Sequence, residues 1–152
     1  MIAMLVLAVI AAAPAALAQA APVNAMDVAL ANQVTTNQCS AGEPVALSGN
    51  VHVEYSISTD ANGASLFAIS ASNKLSGTGQ NSGTAYSAAD SADYTVGSKQ
   101  GSADATVELK ADLTPQGTGT AMALVQQLHI TVDTAGNLAV EVLSNTTNCG
   151  GN

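Results

Sequence analysis

Between Val45 and Ile57, apolar side chains take the odd positions Val45, Leu47, Val51, Val53, Tyr55 and Ile57, and small or polar ones take Ala46, Ser48, Asn50, His52, Glu54 and Ser56. A period of two sends alternate side chains to opposite faces, so the stretch predicts a long half-buried β-strand over 44–58. The same period returns at Ala103, Ala105, Val107, Leu109, Ala111 and Leu113, and on the other parity at Met122, Leu124, Leu128, Ile130 and Val132. These predict strands over 102–113 and 121–133. Asp60-Ala61-Asn62-Gly63 suits the positive φ angles of a hairpin and predicts a strand returning over 65–72. Thr134-Ala135-Gly136-Asn137 turns into a last strand over 138–144, while two short candidates, 84–87 and 94–96, flank a polar Ala-Asp-Ser stretch. Ser76–Gly83 is too rich in Gly and polar residues to read as strand interior. The expectation is an all-β domain of about seven antiparallel strands, a single β-sandwich or a small partly closed β-barrel, with the sandwich favoured.

The N-terminal residues follow another rule. Met1 to Leu17 is apolar and small residues follow, so 1–18 reads as a secretory signal peptide cleaved after Ala18 or Ala20, although no Lys or Arg precedes the run. An uncleaved anchor is the alternative, since a spanning helix needs about 20 apolar residues. One β-domain over 39–149 is then expected, after a lead at 19–38 and before a tail at 150–152. The lead shows no alternation. Asn24 would cap a short helix carrying Met26, Leu30 and Val34, or the segment would be flexible or extended, with Val28 and Leu30 available to a neighbouring molecule's sheet edge.

Composition sharpens this in two ways. Trp is absent and Phe67 is the only Phe, so small side chains fill the core and a covalent cross-link gains weight. Cys39 and Cys149 bracket nearly all the strand-like sequence; in an oxidising compartment they would close a loop of about 110 residues, worth about 4 to 5 kcal/mol on the chain-entropy model. Eleven acidic residues face only Lys74, Lys99 and Lys110, with no Arg. Phosphate neutralisation needs clustered cations, so nucleic-acid binding is excluded, and docking of the mature form to anionic membrane fails likewise. A protein partner, or self-association through sheet edges, is the interaction that composition leaves open.

Cys39, Glu43 to Val53, Thr59 to Gly63, Ser76 to Gly79, His129 to Asp133, Gly136-Asn137-Leu138 and Cys149 together resemble a loose group of uncharacterised secreted bacterial proteins. Those look like all-β domains with a cysteine at each end and His-containing strands before Asn-Gly turns. The resemblance implies export and the fold class and supplies no activity.

Candidate chemistry is sparse. His52 and His129 are the only histidines, and with Glu54 on the same face as His52 they would form a divalent-metal site if their strands were neighbours. Asp60-Ala61-Asn62-Gly63 lacks the closing acidic ligand of a calcium loop and reads as a turn. Asp90 and Asp93 lie in a polar stretch read as a solvated loop. No G-x-S-x-G nucleophile motif occurs, and aromatic platforms for sugars are nearly absent, so neither an enzyme nor a cofactor is expected. Asn145-Thr146-Thr147 matches the N-glycosylation pattern, read as coincidence. A faint echo between His52–Ile69 and His129–Val142 is ascribed to ordinary hairpin chemistry. The favoured function is a secreted or envelope-associated non-enzymatic β-domain with a structural or interaction role; the alternative is a small ligand- or metal-binding β-barrel.

Overall fold

A computed structural model describes residues 24–98 and 100–149. The expected signal peptide at 1–18 and the tail at 150–152 lie outside the described residues. Seven strands follow one another: β1 (Asn24–Asn37), β2 (Glu43–Thr59), β3 (Ser65–Gly79), β4 (Ala85–Gly97), β5 (Ala103–Pro115), β6 (Met122–Val132) and β7 (Leu138–Cys149). They pair in chain order as one antiparallel meander that curls into a nearly closed barrel, with no helix among the described residues. The partly closed barrel is therefore realised in place of the favoured sandwich. A trace of the sandwich survives, because β4 and β5 share only two ladder pairs and the sheet is nearly split into four strands and three.

The described part of the lead segment, from residue 24 on, takes its extended alternative and not the short helix; residues 19–23 lie outside the described residues. Residues 24–37 are neither helical nor donated to a neighbour; they form β1, paired along β2 from Asn24↔Tyr55 to Asn37↔Glu43. A bulge at Ala31 and Asn32, opposite Ser48, explains why the strand was hidden. Before it the inward side chains are Met26, Val28 and Leu30; after it they are Thr35 and Asn37. An extra residue reverses the parity of everything beyond it, which erases the period-two signature.

Two other segments also differ from their expectations. Ser76–Gly79 belongs to β3, and its glycines serve packing: a Cβ on Gly77 would stand 3.0 Å from Val45 Cγ1, and one on Gly79 2.6 Å from Glu43 Oε1. The two short candidates at 84–87 and 94–96 are the ends of the single strand β4, whose inward residues between them are Ala88, Asp90 and Ala92.

A meander with an odd number of strands must bring its first and last strands together in parallel. Asn24 Nδ2 donates to Gly136 O, Asn145 Nδ2 to Gln33 Oε1, and Thr35 Oγ1 meets Thr147 Oγ1 at 3.4 Å, each pair 112 positions apart. The register holds across β1's bulge because β7 carries a matching one: Gln127 pairs with Ser144 and Leu128 with Val142, leaving Leu143 over. Inward residues on β7 accordingly switch from Val140 and Val142 to Asn145 and Thr147. Parallel closure also puts both strand exits at the same end, where Cys39 and Cys149 are disulfide-bonded with Cα atoms 5.2 Å apart.

The interior is filled by the strands' own side chains. Val45, Leu47, Val51, Val53, Leu109, Leu113, Leu124, Leu128 and Ile130 are essentially inaccessible, and Tyr55 and Phe67 pack with ring centroids 5.8 Å apart. One polar line crosses this core. Asn73 Nδ2 donates to Gln126 Oε1 at 3.1 Å, Gln126 Nε2 to Asn145 Oδ1 at 2.8 Å, and Asn145 in turn to Gln33. Gln126 is wholly buried and every end of its amide is engaged, as burial of a polar group requires. The two hairpin turns are built alike: Asp60 Oδ1 accepts from Asn62 N and Ala64 N, and Asp133 Oδ1 from Ala135 N and Asn137 N. Turn chemistry of this kind accounts for the echo in the sequence.

Gly49 sits opposite Leu30 at the bulge with φ +148, and a Cβ there would stand 2.2 Å from Lys74 O. Gly49→Ala is expected to cost about 3 kcal/mol, combining backbone strain with overpacking. Urea denaturation reads it; a change below about 0.5 kcal/mol, the usual range of a surface substitution, would contradict the close approach.

Candidate interaction seam

The proposed metal constellation is not assembled. His52 lies on β2 and His129 on β6, with three strands between them one way round the barrel and β1 and β7 the other. Their premise, neighbouring strands, fails. Each histidine instead meets a carboxylate of the adjacent strand: His52 Nδ1 lies 2.9 Å from Asp27 Oδ1, with Glu54 Oε2 4.0 Å from its Nε2, and His129 Nε2 lies 3.0 Å from Asp104 Oδ1. No group of three or more metal-ligating side chains occurs among the described residues. Asn145 of the glycosylation pattern spends its amide on Gln33 and Gln126, inside the β1–β7 closure.

At the disulfide end Glu43 is buried against the β3–β4 turn, where its Oε1 accepts from Ser82 N at 2.6 Å and Asn81 N at 3.0 Å. The Ser82 bonds, backbone then side chain, hold this carboxyl below its ordinary value. Asn137 does the same for Asp133 in the β6–β7 turn. Both carboxylates are occupied by their own backbone and shape turns.

What stands out is the boundary between β4 and β5. Its ladder consists of Tyr86↔Pro115 and Ser87↔Thr114, extended by Gln116 N donating to Ala85 O at 2.7 Å, and there the pairing stops. Farther along, side chains replace it: Asp90 Oδ2 accepts from Lys110 N at 2.7 Å, and Tyr94 Oη donates to Glu108 O at 2.5 Å. A backbone bond, then a short carboxylate, then a full phenol span the boundary in turn, so the strands diverge as a wedge.

Antiparallel geometry tells which groups face the wedge. A residue's N–H and C=O point to the same side of its strand and alternate along it, so with Ala85 bonded to β5, the odd residues Ala89, Ser91, Asp93 and Thr95 face the gap. On β5 the even residues Thr106, Glu108, Lys110 and Asp112 do so, as the bonds to Glu108 O and Lys110 N require. Only those two backbone groups have a protein partner across the wedge among the described hydrogen bonds. Its inner floor is half-buried and apolar, with Ala92, Tyr94, Val96 and Ala105 packed at the margin of the core.

Asp90, expected in a solvated loop, and Tyr94 are thus the two side chains of β4 that bridge the boundary. One signal for them was present: both fall on the inward parity of a strand whose other inward residues are Tyr86, Ala88, Ala92 and Val96. Comparison with protein-family models, curated proteins and solved structures finds no match for this chain.

Burial, reinforced by the carboxylates of Asp90 and Glu108, raises the Tyr94 phenol above its ordinary value. The folded chain therefore holds this proton more tightly than the unfolded one, and the contribution is complete below about pH 10 and lost as pH rises past it. Tyr94→Phe should cost about 1 kcal/mol at neutral pH, the worth of one hydrogen bond. It should also flatten the alkaline fall in stability, read by denaturation at a series of pH values; an unchanged alkaline limb would show that the phenol does not hold the wedge.

Proposed function

We propose that this chain is an exported, non-enzymatic β-domain that works by engaging a protein through an open sheet edge at the β4–β5 wedge. One observation carries the reading: two facing strands leave a row of backbone donors and acceptors without ladder partners, beside a core that is otherwise packed. Unpaired edges are templates for strand addition, and folded domains ordinarily cover or close them. Here the meander brings both edges within side-chain reach and leaves the ladder unmade.

The remaining features agree. Interior positions are occupied by Val, Leu, Ile and Phe side chains at nearly zero exposure, which disfavours an internal apolar ligand. The outer face carries mostly Ser, Thr, Ala and charged side chains, with Val34 and Leu143 its exposed large apolar residues, unlike the apolar band of a membrane-spanning barrel; Ile57, also exposed, lies on the inward parity of β2 at its end. The Cys39–Cys149 bond suits an oxidising compartment, in keeping with the apolar N-terminal run before Ala16-Leu17-Ala18.

A photo-crosslinking amino acid placed at Ser91 or at Thr106, in the protein as exported by its own cell, tests this. Adducts to a discrete protein are expected from both wedge positions and not from Ala29 or Thr78, on outward faces elsewhere. Equal adducts from all four positions, or none from the wedge, would defeat the reading.

A further inference from the structure

We infer that the wedge takes an extended segment of a partner protein carrying basic side chains four residues apart, inserted between β4 and β5 as an added strand. This rests on the wedge being an interaction edge and specifies what enters it. The lips are acidic. Asp90 and Asp93 on β4 and Asp104, Glu108 and Asp112 on β5 stand against two bases, Lys110, whose Nζ is already 3.6 Å from Glu108 Oε2, and Lys74 of β3, which lines the same surface depression as Asp112.

Three of these carboxylates are engaged. Asp90 holds Lys110 N, Asp104 meets His129, and Glu108 has both Lys110 and the Gln127 amide. Asp93 and Asp112 have no side-chain partner among the described residues, and both lie on outward, exposed positions flanking the gap. Continuing the register set by Tyr86↔Pro115 and Ser87↔Thr114 places Asp112 level with Ala89 and Asp93 level with Glu108. The two free carboxylates therefore stand four residues apart along the gap, about 13 Å at a strand's rise. A period of two puts side chains four apart on one face, so a single added strand presents both its bases outward to them while its alternate side chains cover Ala92, Val96 and Ala105.

A second copy of this chain is the poorer occupant. It has a net charge of −8 and no Arg, so its edges would bring like charge to like. An inserted strand runs antiparallel to one lip and parallel to the other, and both ladders are ordinary. It must displace the Asp90 and Tyr94 bridges, which are single side-chain bonds at a part-exposed boundary.

Three capped peptides decide the matter: Thr-Lys-Val-Thr-Val-Lys-Val-Thr, the same with Thr at both Lys positions, and the same with Glu there, each titrated into the disulfide-bonded protein and followed residue by residue by NMR. The Lys peptide is expected to shift and protect the amides of Ala89 to Thr95 and Thr106 to Asp112. It should bind about tenfold more tightly than the Thr peptide, as two exposed ion pairs allow, and lose that advantage in added salt or in the Asp93→Asn, Asp112→Asn double variant. The Glu peptide should bind weakest. Equal binding of the Lys and Thr peptides in the wedge would overturn the basic partner and leave the edge reading standing. Failure of all three to perturb the wedge amides at millimolar concentration would overturn both, and binding of the Lys peptide elsewhere would overturn the site assigned here.

Discussion

Seven strands in an unbroken meander leave the first and last running in the same direction, and everything else in this molecule depends on how that parallel pair is closed. A backbone ladder does not join β1 to β7; side chains at a constant offset of 112 do, with a covalent bond at the shared end. The offset survives because each strand inserts an extra residue at the same level, Ala31–Asn32 on one and Leu143 on the other. Had only one strand bulged, the remaining half of the closure would have faced the wrong side of the sheet.

This arrangement divides labour between the two boundaries of the barrel. The β1–β7 boundary is fastened by the disulfide, by Thr35, Thr147 and Asn145, and through Gln126 to Asn73 on the opposite side of the core. Asn73 also accepts from Asp90 N with its Oδ1 at 2.9 Å, so the same polar line ends beside the β4–β5 wedge. With one boundary covalently fixed, the other can remain unzipped over most of its length without the meander falling open. Beside the gap β4 turns Ala88 and Ala92 inward, which fill little space, between the larger Tyr86 and Tyr94.

The strands β2, β5 and β6 were legible because no inserted residue shifts their parity, and the disulfide because only two cysteines exist and they bracket the strands with a clear alternation. β1 was not, since a bulge reverses its parity midway, and β4 was not, since Asp90 on an inward position looks like a loop. Gly77 and Gly79 read as loop residues, although they mark where β3 packs closely on Val45 and Glu43. The pairing of His52 with His129 failed for a different reason. A sequence gives the face of a residue and says little of how far apart two strands close, and here neither histidine's strand borders the other's. The wedge itself is a missing ladder, set by curvature of the whole sheet, and no local pattern encodes an absence.

Amide hydrogen exchange along β4 and β5 of the oxidised protein tests the central claim most directly, because the wedge predicts an alternation and not merely a flexible region. Ala89, Ser91, Asp93 and Thr95 should exchange fast while Ala88, Ala92 and Tyr94, which face β3, are protected. On β5, Thr106, Glu108 and Asp112 should be fast, with Lys110 slowed by Asp90 and with Val107 and Leu109 held by β6. Uniform protection along both strands would mean that β4 and β5 are zipped in solution, and the open edge on which the account rests would not exist.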